Sequence, residues 1–410
     1  MASTELLNRK VPGHVPAALV WDHRLDDFTH ELGDPYMAAS RLHAGPGIIW
    51  ATDAGFDKPG WVLTRHALIL EAFIDSEHFS SARGSHINDT MGGGWRLIPL
   101  EVDPPEHQAY RRILNGHFTP EAVNRLESTV RKVCNSLISE FEDRGACEFV
   151  SEFATPFPSY IFLAMMGMPK AMLPQILEWE ENLMRGADVA KRMTAARAIY
   201  HYLQGFVEEQ QTSPQTDLMK GIMSGRIEER PLFNIEVLGM CYLLYIGGLD
   251  TIYGSLGWIM RHLACDQTLQ ERLRAKPDDI PRAVDELTRA FGVTAPHRTI
   301  AKDFEFHGVA MRKGDDVLLP TYLASRDPQA YDDPHVIDPD RRARNLAFAA
   351  GAHTCLGIHL AKRELRIVIE AFLSRFKNIR IQEGETYEYH TGSVLGVDRL
   401  SLKWDRLTVG

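Results

Sequence analysis

The chain has 410 residues, 44% of them hydrophobic, and a formal net charge of −10. That is apolar material for a large core, and the acidic balance argues against nucleic acid as a partner, because phosphate binding needs a basic face. The five cysteines, Cys134, Cys147, Cys241, Cys265 and Cys355, are odd in number and irregularly spaced, which excludes a disulfide framework and points to a reducing cytoplasm.

The first thirty or so residues read as extended and proline-punctuated, without the apolar run of a signal peptide. Asp34-Pro35 starts a helix, with Asp as N-cap and Pro at the first helical position. Gly47 to Thr52 and Trp61 to Thr64 read as short strands, and Ser80 to Gly94 as a polar, glycine-rich loop. From there the pattern is mostly helical. Pro104-Pro105 opens one helix and Thr119-Pro120 another. Further helices cover the residues before Met165, Leu173 to Met184 and Ala195 to Glu208. The most apolar stretch, Val237 to Met260, holds Asp250 and five glycines. A membrane span tolerates a central Asp poorly, so this is a buried core helix and no membrane is expected. Ile280 to Phe291 is helical, Arg298 to Val309 turns to short strands, a last helix runs from Leu356 towards Phe376, and Val394 to Trp404 alternates like a hairpin. The expected fold class is mainly α with small β-sheets. No linker divides the chain, so a single domain over 1–410 is expected.

Chemistry concentrates at Phe348-Ala349-Ala350-Gly351-Ala352-His353-Thr354-Cys355-Leu356-Gly357. A cysteine just before a helix sits in the positive field of that helix's N-terminus, which favours the thiolate. Gly351 and Gly357 allow tight turns and close approach of the backbone to a flat cofactor, and Phe348 can shield the sulfur. A lone cysteine is ordinarily a buried inert thiol, and that reading is kept for the other four. Gly247-Gly248-Leu249-Asp250-Thr251 is the second unusual segment. Two adjacent glycines in an apolar helix cost about 1 kcal/mol each relative to Ala, which room for a ligand would offset. Asp250 and Thr251 add a carboxylate and a hydroxyl that need partners. The bland alternative is a helix contact in which Thr251 bonds back to the backbone.

The spacing F-x-x-G-x-H-x-C-x-G from Phe348 to Gly357 resembles the heme-binding signature of the cytochrome P450 family. The resemblance implies a single-domain P450 fold, heme b (iron protoporphyrin IX) as cofactor and Cys355 as the iron's ligand. Gly247 and Gly248 then leave room over the heme, and Asp250 and Thr251 become the acid–alcohol pair that delivers protons to dioxygen. Glu286-x-x-Arg289 is similar to the family's buried E-x-x-R. His107, Arg111, Arg298 and His353 take the positions that hold the heme propionates, while Pro296 stands where some relatives carry an acid.

Further strings, among them Asp103-Pro104-Pro105-Glu106 and Phe304-Glu305-Phe306-His307-Gly308-Val309, resemble the camphor hydroxylase subgroup. That likeness implies a monooxygenase acting on a small apolar terpenoid or norisoprenoid ketone, camphor-like or ionone-like. Its electrons would come from a two-iron two-sulfur ferredoxin served by a flavoprotein reductase. Arg111, Arg112, Arg341, Arg342, Arg344, Lys362 and Arg363 would form a basic patch that steers such an acidic carrier. Trp95 replaces the Tyr that meets the substrate ketone; indole N–H still donates but cannot accept. His86, Leu243, Ile246, Thr294, Val394 and Leu395 complete the expected pocket lining. The competing readings are a peroxide-driven or nitric-oxide-reducing heme-thiolate enzyme, which needs no acid–alcohol relay, and a gas sensor or carrier, for which the sequence offers no output element.

Overall fold

The computed structural model describes residues 11–25, 33–55, 58–83, 94–185, 188–342 and 344–407. Helices dominate, and their starts follow local chemistry. Asp34 caps α1 (Pro35–Ser40) by accepting from the Tyr36 and Met37 amides at 3.0 and 3.1 Å. α2 (His66–Ile74) and α3 (Glu106–Asn115) follow. Thr119 caps α4 (Pro120–Ser139), with Pro120 at its first position. Then come α5 (Pro156–Met166), α6 (Leu173–Arg185), α7 (Val189–Thr212) and α8 (Asp217–Met223).

The apolar stretch forms α9, Asn234–Cys265, longer at both ends than its hydropathy suggests. Glu236 extends the N-terminus: its carboxylate accepts the Phe233 amide at 2.7 Å and a bidentate Arg230 at 2.8 and 2.7 Å. At the other end Cys265 is exposed, which corrects its reading as a buried thiol; Cys134, Cys147 and Cys241 are buried. By length and composition α9 could cross a membrane, yet 61% of its most apolar window is buried in the fold, as a core helix requires. α10 (Gln267–Ala275), α11 (Ile280–Ala290), α12 (Thr321–Ala324) and α13 (Ile358–Arg375) complete the helices.

A six-stranded sheet packs at one side. Its order is β1 (Val20–Arg24), β2 (Ile48–Asp53), β3 (Gly60–Leu63), β11 (Asp316–Leu318), β8 (His297–Ile300) and β4 (Phe79–Ser80). β1 runs parallel to β2 and β3 parallel to β11; the other pairs are antiparallel. The smaller sheets include a hairpin of β9 (Phe304–Phe306) and β10 (Val309–Met311). The C-terminal alternation is not a hairpin. β14 (Gly396–Arg399) pairs with β13 (Glu388–His390), whereas β15 (Ser401–Arg406) lies between β12 (Phe376–Ile381) and β5 (Ala146–Glu148). Only Leu400 separates β14 from β15, too little to reverse the chain. It is buried, and it passes the chain from one sheet to the next.

The core divides along α9. Its first half, Val237 to Leu249, packs with α3, α5, α7 and α8. Its second half, from Ile252, packs with α4, α11 and α13. Gly247 to Thr251 falls at the seam. On the α11 side, Arg289 is buried and makes a bidentate pair with Glu286, 2.8 Å for each bond. Its other donors reach the carbonyls of Ser325, Pro334 and Val336 at 2.6, 3.0 and 3.3 Å. Glu286 also accepts from the Asp338 amide at 3.0 Å and from Arg341 at 3.1 Å. Breaking a buried pair by removing one partner costs about 3–5 kcal/mol. Arg289→Ala should therefore lower unfolding stability by about that much, measured by chemical denaturation, while substitution of exposed Arg112 should leave it almost unchanged.

Candidate active site

The site lies between α9 and the segment that ends at Cys355. Along α9, Leu243, Ile246, Gly247, Asp250 and Thr251 recur at three- and four-residue spacing and share one face. Leu249 and Asp250 are buried, but Gly247 and Gly248 are exposed in the middle of this core helix. Among the described residues, a Cβ placed on either glycine would meet no atom within 4 Å. The helix is thus stripped of side chains where it borders a recess. Asp250 is 1% exposed. The Thr251 hydroxyl donates to the Gly247 carbonyl at 2.8 Å, the local back-bond expected of a helical threonine.

Across the recess, the Cys355 amide donates to the Phe348 carbonyl at 2.9 Å and closes the loop. Ala349 and Gly351 adopt positive φ, 56° and 71°. Gly351 is required for a reason that the sequence does not display: a Cβ there would lie 2.6 Å from the Phe73 carbonyl oxygen. Its close approach is to the end of α2, not to a cofactor. Gly357 does border open space, with nothing within 4 Å of a Cβ. Phe348 is half-buried, with Lys362 5.7 Å from its ring centre.

Enclosure pushes the Cys355 thiol up, against the opposing pull of the Gly357 N–H and the Arg111 charge. Coordination to a metal would deprotonate the thiol outright.

Polar groups gather beside the loop. The His107 and His353 rings lie 4.3 Å apart. His107 is 1% exposed, yet among the described residues neither ring nitrogen has a hydrogen-bond partner, and His353 Nε2 has none either. Burial pushes His353 down to about 3, aided by the Arg298, His107 and Arg111 charges. Burial likewise lowers Arg298 to about 10, with Asp103 the charge that opposes it. Arg298 donates to the His297 carbonyl at 2.7 Å. Arg111 donates to the Thr354 carbonyl and to Asn115 at 2.9 Å, so part of its fork already braces the cysteine loop. Two imidazoles and two guanidiniums, buried at His107 and Arg298 and half-buried at His353 and Arg111, fit an anionic group, and the stripped helix face fits a flat one. The two propionates and the ring of heme meet both demands.

Sequence reasoning missed Asp103. It accepts from Ser80 and from the Ser81 amide at 2.8 Å, and it is the carboxylate that faces Arg298. Its signal was its place in Asp103-Pro104-Pro105-Glu106, which reads as a helix start and as part of the subgroup likeness but gives the carboxylate no role.

The pocket residues are less uniformly placed. Leu243 and Ile246 are half-buried on the α9 face. Thr294 bridges to Val394, and Leu395 is buried behind Val394. Trp95 is packed between Tyr200 and Tyr242, with ring centres 5.4 and 4.9 Å away, and its buried Nε1 has no partner among the described residues. His86 lies outside the described residues. The expected basic patch is partly neutralised: Arg341 pairs with Glu286, Lys362 with Asp285 at 2.7 Å, and Arg363 with Glu127. Arg112, Arg342 and Arg344 are exposed.

Charge-assisted bonds to a buried anion each contribute about 1.5–3 kcal/mol. Arg298→Ala should therefore weaken heme retention at least tenfold, measured by transfer to apomyoglobin, and His107→Phe should do so to a smaller extent. Equal retention in both variants and the wild type would contradict this assignment of the donors.

Comparisons with known proteins agree with the geometry. A family model described as Cytochrome P450 matches residues 280–403. The chain is 35% identical over 404 residues to the probable cytochrome P450 127A1 of Sinorhizobium fredii, covering 96% of this chain and 97% of that protein. It is 27% identical to cytochrome P450-terp of Pseudomonas sp., covering 84% of this chain and 88% of that one. Among solved structures it is similar to CYP101J2, with TM-score 0.88 and 30% identity, and to CYP101C1, with TM-score 0.87 and 31% identity. Each covers 97% of this chain and 100% of the other. The chain belongs to the cytochrome P450 family: it has that fold, it binds heme b through a cysteine thiolate, and it is a monooxygenase.

Proposed function

We propose that this monooxygenase hydroxylates a small, largely apolar terpenoid or norisoprenoid ketone, with electrons from a two-iron two-sulfur ferredoxin and its flavoprotein reductase, and that it works in the cytoplasm as one domain. The observation that carries this reading is the exposed Gly247-Gly248 step on α9, on the face that Leu243 and Ile246 share, with Leu356, the neighbour of Cys355, packed against the same cluster. Side chains stripped from the helix beside apolar ones suit a flat cofactor and an apolar substrate.

In this reading Cys355 would ligate the heme iron, His107, Arg111, Arg298 and His353 would hold the propionates, and Phe348, Gly351 and Gly357 would shape the loop that carries the cysteine. The bound heme supplies dioxygen activation, by which one oxygen atom enters the substrate and the other leaves as water. The protein's own part is positioning and proton handling. Asp250 places a carboxyl group inside the core, and Thr251 presents a hydroxyl one residue further on. To deliver a proton into the recess, the Thr251 hydroxyl must leave its bond to the Gly247 carbonyl. Leu243, Ile246, Thr294 and Val394 exclude water from the reacting carbon, with Leu395 behind them. Trp95 has the unfilled N–H donor that a ketone would take, and His86 belongs to the same proposed lining. The exposed Arg112, Arg342 and Arg344 are the cations left to steer an acidic carrier.

The test is a titration of the ferric protein with camphor and with β-ionone, followed by turnover with an acidic two-iron two-sulfur ferredoxin and its reductase. The expected result is a low-to-high-spin shift that is stronger with β-ionone, and a hydroxylated product. A stronger camphor response would return the substrate to the monoterpene class. Spectral response without product under ferredoxin supply would overturn the proposal in favour of a sensor or carrier.

A further inference from the structure

The segment that carries Val394 and Leu395 is the turn between β13 and β14, and this pair forms a sheet of its own. A two-stranded hairpin is marginal alone, so something outside it must set its height. On one side, the Leu395 amide donates to the Val293 carbonyl at 2.8 Å and the Ala295 amide to the Ser393 carbonyl at 3.1 Å. On the other side stands α9. The Tyr253 hydroxyl donates to the Val397 carbonyl at 2.6 Å, and Trp258 Nε1 donates to the Leu395 carbonyl at 3.2 Å. Both aromatic side chains are buried, at 1% and 0% exposure.

Two glycines let the hairpin approach this closely. A Cβ on Gly254 would lie 2.7 Å from the Leu395 carbonyl oxygen, and one on Gly257 would lie 2.8 Å from Val397 Cβ. The hairpin is braced from within as well. His390 Nδ1 lies 2.6 Å from Asp398 Oδ1, the atom that Tyr253 also approaches at 3.1 Å. Gly396 has no side chain where His390 and the Tyr253 ring press against it. Tyr253 therefore stands at the centre of the junction, two residues beyond Thr251 on one rigid helix that rises about 1.5 Å per residue.

We infer that Tyr253 and Trp258, together with Gly254, are positioning residues that fix the distance between the Val394–Leu395 wall and the Asp250–Thr251 pair, and so set the shape selectivity of the substrate site. This rests on the reading above that the wall borders substrate. None of these groups touches the reacting atoms. They act by holding a short hairpin, marginal by itself, in register with the helix that carries the Asp250–Thr251 pair. A rigid supporting shell is what keeps such a site within the small tolerance that selective oxidation needs.

The experiment compares heme-loaded wild type, Tyr253→Phe, Gly254→Ala and Val394→Ala. It reads three quantities: backbone hydrogen exchange over residues 391–398, the ratio of dissociation constants for β-ionone and camphor from spin-state titration, and the distribution of hydroxylated products. Loss of one hydrogen bond corresponds to a change of about threefold to tenfold. Tyr253→Phe keeps the ring and should raise exchange at the turn by about that factor, shift the affinity ratio and broaden the products. Gly254→Ala should displace the turn and change the products in its own way. A purely structural role would lower the melting temperature and leave ratio and products as in the wild type; that result in both variants overturns the inference. If Val394→Ala shifts the ratio in that case, only the positioning claim fails. If Val394→Ala is also silent, the reading of the turn as a substrate wall fails with it.

Discussion

A guanidinium at 1% exposure, that of Arg289, has no water to share its charge, and the protein must surround it with acceptors. Glu286 supplies one fork, and the carbonyls of Ser325, Pro334 and Val336 supply the rest. Those carbonyls belong to an irregular segment with little regular structure of its own. The buried charge therefore does what a sheet ladder would do elsewhere: it fixes the path of residues 325 to 341 against α11. Glu286 adds the Asp338 amide and Arg341 to the same knot. In sequence this segment precedes the loop that presents Cys355, so an ion pair that takes no part in the chemistry braces the chain on its way to the sulfur.

The other boundary of the site is α9. Its glycines remove side chains for different purposes on different faces. Gly247 and Gly248 open the recess, whereas Gly254 and Gly257 admit the β13–β14 hairpin. Gly239 does the same for the loop after Trp95, since a Cβ there would lie 2.1 Å from the Arg96 carbonyl oxygen. One helix thus sets three distances at once: to the cofactor slot, to the loop that carries Trp95 and to the turn that carries Val394. The cost of each glycine to helix stability, about 1 kcal/mol, is offset by the packing of the long buried stretches between them.

What the sequence makes legible follows from how local each signal is. The thiolate loop is contiguous over ten residues, and its turn residues, cysteine and following helix can be read together. The length and hydropathy of α9 are also local. Features built by two distant segments are not. Nothing near Gly351 announces that Phe73 lies against it, and nothing near Arg341 or Lys362 announces Glu286 or Asp285, so the expected basic patch was too large. The alternation from Val394 to Trp404 is a true strand signal, but periodicity carries no record of which sheet each strand joins. Tyr253 and Trp258 read as ordinary aromatic residues on a buried helix until the hairpin is placed against them.

The proposed role of Cys355 as the thiolate on heme iron is tested by the absorbance of the reduced protein under carbon monoxide, for the wild type and for Cys355→His. The expected result is the long-wavelength Soret band of a thiolate-ligated heme in the wild type and the shorter-wavelength band of an imidazole-ligated heme in the variant. A wild-type protein that binds heme stoichiometrically, yet shows only the shorter-wavelength band before any loss of fold, would contradict it.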